Sequence, residues 1–71
     1  MKIIEGETIQ KACKNLQQIA RYKPYEYRGT WFAFRFDKIN YFYRNKNSAF
    51  NKLNNLAGLN AIDYDLFSVK I

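Results

Sequence analysis

Residues 27–45 read YRGTWFAFRFDKINYFYRN, and this stretch decides the fold. It holds eight of the chain's 13 aromatic residues, together with four basic residues and one acidic residue. Both of its halves are rich in residues of high β-propensity, and Asp37-Lys38 between them suits a tight reversal. The stretch therefore predicts a β-hairpin with strands from Thr30 to Phe36 and from Ile39 to Arg44.

Side chains alternate across a strand, so the hairpin divides into two faces. The bulky, uncharged face is expected to form the core under the helices, with the residues of each strand directly opposite one another: Phe32, Phe34, Phe36, Ile39, Tyr41 and Tyr43. The other face, here called the outer face, carries two aromatic rings, two guanidinium groups and an amide: Trp31, Arg35, Asn40, Phe42 and Arg44. Trp31 is expected opposite Arg44, close enough for a cation–π contact.

An open sheet face of this composition offers stacking planes and phosphate donors together, as in sheet-based nucleic-acid binders. Two alternatives remain for the outer face. Exposed apolar patches are often protein interfaces, and the C-terminal segment or a second copy of the chain could cover these side chains. The sequence leaves the choice among the three open.

The flanking segments predict two helices and two further strands. A short strand at residues 2–4 precedes an amphipathic helix from Thr8 to about Tyr22, which Pro24 ends. Tyr25 to Arg28 also favours an extended strand, separated from the hairpin by a bulge or turn at Gly29. A second helix is expected with Ser48 or Asn47 as its N-cap and Gly58 as its C-terminal cap, and residues 62–71 predict a closing strand.

The predicted fold is a single α+β domain over residues 1–71, in the order β-α-β-β-α-β. An antiparallel sheet with both helices packed on one face is the economical solution for this order, as in a ferredoxin-like split βαβ fold. A true turn at Gly29 would instead give a three-stranded meander before the second helix. No stretch carries a complete family motif, and the sequence assigns the chain to no family.

The charge of the chain is basic and concentrated in its middle. The net charge is +6, and residues 8–62 hold ten basic residues against two acidic ones. Such a field attracts nucleic acid, an anionic membrane or an acidic protein surface. Lys11, Lys14 and Arg21 are spaced to form one stripe on the first helix, and Lys46 and Lys52 lie near the start of the second.

The residue inventory argues against catalysis and against a bound cofactor. The chain has no histidine and one cysteine, which excludes histidine-based acid–base chemistry, an intrachain disulfide and the usual zinc sites. Its glycines form no phosphate-cradling loop. Cys13 lies on the apolar stripe of the first helix and is expected to be buried, and the pair Asp63 and Asp65 is expected to be surface charge rather than a magnesium site.

The sequence thus favours a small non-enzymatic binding module with no cofactor, no metal and no small-molecule substrate. The leading expectation is nucleic-acid binding, DNA or RNA, through the outer face, the first-helix stripe, Lys46 and Lys52. The alternative is a protein-binding regulator or inhibitor of phage-like type that docks on an acidic partner surface. Homodimerisation is compatible with both.

The expected location is cytoplasmic. No apolar run is long enough for a signal peptide or a membrane span, and a lone thiol suits a reducing compartment. The chain's abundance of Asn, Lys, Ile, Tyr and Phe indicates an A/T-rich coding sequence, as in a low-GC bacterium or a phage acting in its host's cytoplasm.

Overall fold

The computed structural model describes residues 1–58 and 66–71. In this part of the chain the elements follow one another as β1 (Lys2–Ile3), α1 (Ile9–Tyr22), α2 (Pro24–Tyr27), β2 (Thr30–Phe36), β3 (Ile39–Tyr43), α3 (Lys46–Ala57) and β4 (Phe67–Lys70). They form a small compact α+β domain with a four-stranded antiparallel sheet and three helices. Within these residues, no helix has the length and apolar character needed to cross a membrane.

The hairpin of β2 and β3 forms in the predicted register. Phe34 lies opposite Tyr41, and the neighbouring pairs follow on either side. Asp37 and Lys38 have φ values of 50° and 66°, so both central residues of the turn are left-handed. A two-residue turn of this kind matches the twist of the strands it joins, which explains why the register is set locally.

The sheet has the order β1-β3-β2-β4, and every neighbouring pair is antiparallel. As a result, β1 runs parallel to β2 with β3 between them, and β3 runs parallel to β4 with β2 between them. The connections from β1 to β2 and from β3 to β4 both move toward the β4 edge of the sheet. They start, however, from strands that run in opposite directions. Because such crossovers are right-handed, α1 and α3 lie on opposite faces of the sheet.

The packing corrects the prediction that both helices share one face. Buried residues of α1 pack with one face of the hairpin in a first core, whose buried members are Ile4, Ala12, Cys13, Leu16, Trp31, Ala33 and Phe42. Buried residues of α3 pack with the other face in a second core: Phe34, Tyr41, Ala49 and Leu53, with Phe32, Phe36 and Tyr43 packed against them. The side chains predicted to be core belong to the second core, with the exception of Ile39, which is exposed. Placing both helices on one face would require β4 to pair with β1.

Helix α1 begins and ends where its sequence directs. The Thr8 hydroxyl accepts a hydrogen bond from the Lys11 N–H at 3.1 Å, which satisfies one of the free donors at the helix start. Lys23 leaves the helical region, with φ −133° and ψ 60°, because the following Pro24 disfavours helical backbone before it. The predicted helix from Thr8 to about Tyr22 is confirmed.

The segment after α1 differs from the prediction. Residues 25–28 were expected to be extended, but Pro24–Tyr27 is the short helix α2. Proline suits the first position of a helix, since its fixed φ is already helical and no N–H is needed there. The three-stranded meander broken at Gly29 is therefore not formed.

Helix α3 starts two or three residues earlier than expected. Asn45 is its N-cap, and its side-chain oxygen accepts from the N–H groups of Asn47 and Ser48 at 2.8 and 3.3 Å. Gly58 closes the helix with a φ of 65°, as predicted. The expected closing strand is observed as Phe67–Lys70 against β2. Residues 62–65 of that prediction, including Asp63 and Asp65, lie outside the described residues.

Candidate functional site

The outer face is closed rather than open. Trp31 is 2% exposed, Phe42 is 0% exposed and Asn40 is 2% exposed, because α1 covers this side of the sheet. The prediction that Trp31, Asn40 and Phe42 are available to a ligand is wrong for this conformation of the chain. Their alignment with Arg35 and Arg44 is correct, since Ala33 lies opposite Phe42 and Arg35 opposite Asn40.

Asn40 and Arg35 hold the loop between β1 and α1. The Asn40 amide donates to the carbonyls of Ile4 at 3.1 Å and Gly6 at 2.9 Å. Arg35 donates to Asn40 Oδ1 at 2.8 Å and to the Gly6 carbonyl at 2.7 Å. A buried amide costs stability unless its groups are paired, and here all three bonds are formed. These two predicted ligand contacts are thus structural groups.

Arg44 and Trp31 hold α2 in the same way. The Arg44 guanidinium lies 3.8 Å from the centre of the Trp31 ring and donates to the Glu26 carbonyl at 2.7 Å. The Trp31 indole N–H donates to the Tyr27 carbonyl at 2.8 Å. The predicted cation–π contact is present, and its role is to fix the short helix against the sheet.

Gly29 gives Arg44 room to reach α2. A Cβ at this position would lie 2.7 Å from Arg44 Nη1, and the φ of Gly29 is 121°, a value that side-chain-bearing residues rarely adopt. The glycine that was expected to mark a bulge or turn therefore serves a close approach between backbone and guanidinium.

The stripe predicted on α1 lies on the solvent side of that helix. Lys11, Lys14 and Arg21 are exposed, and the buried residues of α1 occupy its opposite side. No carboxylate among the described residues lies within ion-pair distance of these three cations; the ion pair present there joins Lys2 to Glu26 at 3.6 Å. The stripe is therefore a set of three exposed cations on one side of α1.

Lys46 and Lys52 lie on the other side of the molecule, because they belong to α3. Lys46 is exposed and its ammonium is 5.7 Å from the Phe50 ring centre. Lys52 is half-buried and lies 5.9 Å from the Tyr41 ring centre. The structure therefore divides the predicted basic residues between two opposite surfaces rather than bringing them together.

An aromatic and basic surface that the sequence analysis did not single out continues the α1 stripe. Tyr22 ends α1 with 87% of its surface exposed, and Tyr25 in α2 is fully exposed. Three exposed cations adjoin them in the chain, and the five residues together are called the tyrosine corner: Arg21, Tyr22, Lys23, Tyr25 and Arg28. The helical spacing of Tyr22 from Gln18 was the signal available, since it places an aromatic ring on the polar side of α1.

A groove of about 530 Å³ opens beside the tyrosine corner, between β1 and α1. Tyr22, Ile19 and Ile3 give it apolar walls, and the amides of Asn15 and Gln18 also line it. Asn15 donates to the Glu5 carbonyl at 2.6 Å, so its side-chain oxygen remains available as an acceptor. The groove thus combines an aromatic ring with hydrogen-bonding groups.

A buried thiol and a half-buried phenol have altered acidity without forming a reactive site. Burial raises the pKa of the Cys13 thiol, which keeps it protonated at neutral pH. Burial, with a smaller effect from Tyr41, raises the pKa of the Tyr43 phenol, whose hydroxyl donates to the Met1 sulfur at 3.0 Å. Among the residues the structure describes, no group of three or more His, Cys, Asp or Glu side chains is placed to hold a metal ion.

Comparisons with protein-family models, with curated proteins and with solved structures gave no match for this chain. Its function therefore has to be argued from the surfaces described above.

Proposed function

We propose that the chain is a small non-enzymatic nucleic-acid-binding module whose contact surface is the α1 stripe and the tyrosine corner. The observation that carries the proposal is the exposure of Tyr22 and Tyr25 among three cations that lack a carboxylate partner within the described residues. Lysine and arginine supply phosphate contacts, and exposed aromatic rings supply base contacts.

The proposed surface differs from the one expected from sequence, because its cations are exposed and are not engaged with backbone carbonyls of the described residues. Arg35 and Arg44 are engaged with carbonyl groups of the fold. Lys11, Lys14 and Arg21 are exposed on one side of α1, which continues directly into Lys23 and Arg28. These five exposed cations, carried by α1 and by the short segment that follows it, give a local positive field that attracts a polyanion before any specific contact forms.

The test measures binding of labelled DNA and RNA oligonucleotides by fluorescence anisotropy between about 50 and 200 mM salt. A variant with Arg21, Lys23 and Arg28 changed to glutamine should weaken binding and reduce the salt dependence. Each lost phosphate contact lowers the slope of log K against log salt by about 0.7 to 0.9, so we expect a change of about 2 to 3.

A matched control separates this surface from total charge. Lys38, Lys46 and Lys70 are exposed cations outside the stripe and the corner, and their change to glutamine lowers the net charge from +6 to +3, as the corner variant does. The control should lose much less affinity. Equal losses in the two variants, or no binding stronger than millimolar at low salt, would overturn the proposal.

A pulldown from nuclease-treated lysate addresses the other candidate, a protein-binding regulator that docks on an acidic surface. Arginine and tyrosine also dominate protein interfaces, so the same corner could serve it. Loss of every captured partner after nuclease treatment supports nucleic-acid binding. A protein retained in stoichiometric amount favours the regulator instead.

A further inference from the structure

We infer that the target of the tyrosine corner is single-stranded nucleic acid, with unpaired bases stacked on Tyr22 and Tyr25. This inference rests on the proposed function and specifies its ligand. It draws on the state of the two rings, on the bracing of the segment that carries them, and on the groove beside Tyr22.

The two rings are set apart from the other tyrosines that the structure describes. Tyr27, Tyr41 and Tyr43 are partly or fully buried, and each lies against another aromatic ring. Tyr22 and Tyr25 have no ring contact, cation contact or side-chain hydrogen bond with any residue of 1–58 or 66–71. Their faces are therefore available for stacking.

The segment that carries Tyr25 is held in place. Arg28 N–H donates to the Pro24 carbonyl at 2.9 Å, which closes the single turn of α2. Arg44 and Trp31 fix the carbonyls of Glu26 and Tyr27, immediately after Tyr25. Because three residues of chain span at most about 11 Å, the Cα atoms of Tyr22 and Tyr25 lie no farther apart than that. With the backbone after Tyr25 already braced, the freedom lost there on binding is mainly that of the side chain.

Single strands suit this surface better than duplexes. A base inside a duplex is already stacked on its neighbours, and exposing it costs a few kcal/mol per step. An unpaired base can stack on tyrosine at no such cost. A base lying on Tyr22 would also meet the groove between β1 and α1, where Asn15 and Gln18 offer hydrogen-bonding groups to its edge.

The experiment compares single strands of about 15 nucleotides, oligothymidylate and oligouridylate, with a duplex of the same length, a size matched to small single-strand sites. At equal salt the single strands should bind more tightly. The double variant Tyr22→Leu/Tyr25→Leu should lose roughly fivefold to 150-fold in affinity per tyrosine, the effect of one base-stacking contact.

The double variant Tyr22→Phe/Tyr25→Phe keeps both rings and is the matched control. It should bind single strands within about threefold of the parent chain, because stacking needs the ring face and not the hydroxyl. Both side chains are exposed, so neither variant should alter the fold, and unchanged circular dichroism checks this.

The outcomes separate the two proposals. A failure to bind any oligonucleotide overturns the proposed function itself. Duplex binding as tight as single-strand binding, or leucine variants that keep full affinity while the glutamine variant of the corner loses it, leaves nucleic-acid binding in place and overturns the inference about single strands and stacking.

Discussion

Replacing Asn40 with alanine should remove most of the stability of the fold. The change deletes two neutral hydrogen bonds, to the carbonyls of Ile4 and Gly6, and one charged bond from Arg35. At about 0.5–1.5 kcal/mol for each neutral bond and 1.5–3 kcal/mol for the charged one, the loss is about 2.5–6 kcal/mol. A chain of this length has a free energy of unfolding of about 4–11 kcal/mol.

Urea denaturation followed by circular dichroism measures this loss. With a slope of about 1 kcal/mol per molar urea, the midpoint should fall by about 2.5 M or more. The loss should be accompanied by faster amide hydrogen exchange in β1 and in the first turn of α1, because the Asn40 bonds hold the loop that joins these two elements. Asn51→Ala is the control, because Asn51 is exposed on α3 and alanine favours helix.

A change of less than about 0.5 kcal/mol for Asn40→Ala would refute the reasoning, since surface substitutions have effects of that size. So would a loss of equal size in Asn51→Ala. The first result would mean that the three bonds of Asn40 are replaced by water without penalty. The second would mean that the loss of stability does not come from those bonds.

Two substitutions and one labelling experiment test the contacts around α2 and the burial of Cys13 in α1. Arg44→Lys keeps the charge but loses the planar stack and the bond to α2, and should lower the free energy of unfolding in urea by about 1–2 kcal/mol, whereas Lys46→Gln should change it by less than about 0.5 kcal/mol. Gly29→Ala adds backbone strain and a clash with Arg44, so its midpoint of thermal unfolding should fall further than that of Gly58→Ala, whose added Cβ meets no atom of residues 1–58 or 66–71 within 4 Å. The Cys13 thiol, whose pKa burial raises, should react with a thiol reagent at neutral pH only after the chain is unfolded; equal rates in the native and urea-unfolded chain would contradict its burial.

Local patterns gave correct predictions for the elements whose signals lie within a few residues of one another. The two-residue turn at Asp37-Lys38 determined the hairpin register, and strand alternation then placed Phe34 and Tyr41 together in a core. The apolar spacing of α1 and its end before Pro24 were also correct. These features depend on backbone sterics and side-chain period, which the sequence states directly.

The placement of the helices could not be derived from those patterns, because it depends on which edge of the sheet β4 joins. One sign was nonetheless present in β2. Trp31 to Phe34 is apolar at every position, and such continuous runs are typical of strands buried on both faces. The prediction assigned one face of β2 to the core and left the other face open, and it did not take this apolar run into account.

The same error moved the candidate site. Trp31, Arg35, Asn40 and Arg44 were interpreted by residue type, and aromatic and arginine residues can brace a fold as readily as they bind a ligand. Their partners are mainly backbone carbonyls in α2 and in the loop between β1 and α1, contacts that no spacing rule in the sequence indicates. The exposed rings lie where a helix ends and a short turn begins, a junction whose geometry follows from tertiary contacts.

The sheet order has a consequence for how the chain folds. The hairpin of β2 and β3 closes over a turn of two residues, whereas β1 and β4 are joined to it by pairs such as Lys2 with Phe42 and Thr30 with Lys70, 40 positions apart in each case. Closing such long loops costs more chain entropy than closing a two-residue turn, so these pairs form more slowly than the hairpin. We therefore expect the hairpin to form early, and the two ends of the chain to dock late and on opposite edges. Until they dock, a strand pair that is apolar on both faces is exposed to other molecules, which makes the interval before docking the period of greatest risk of aggregation.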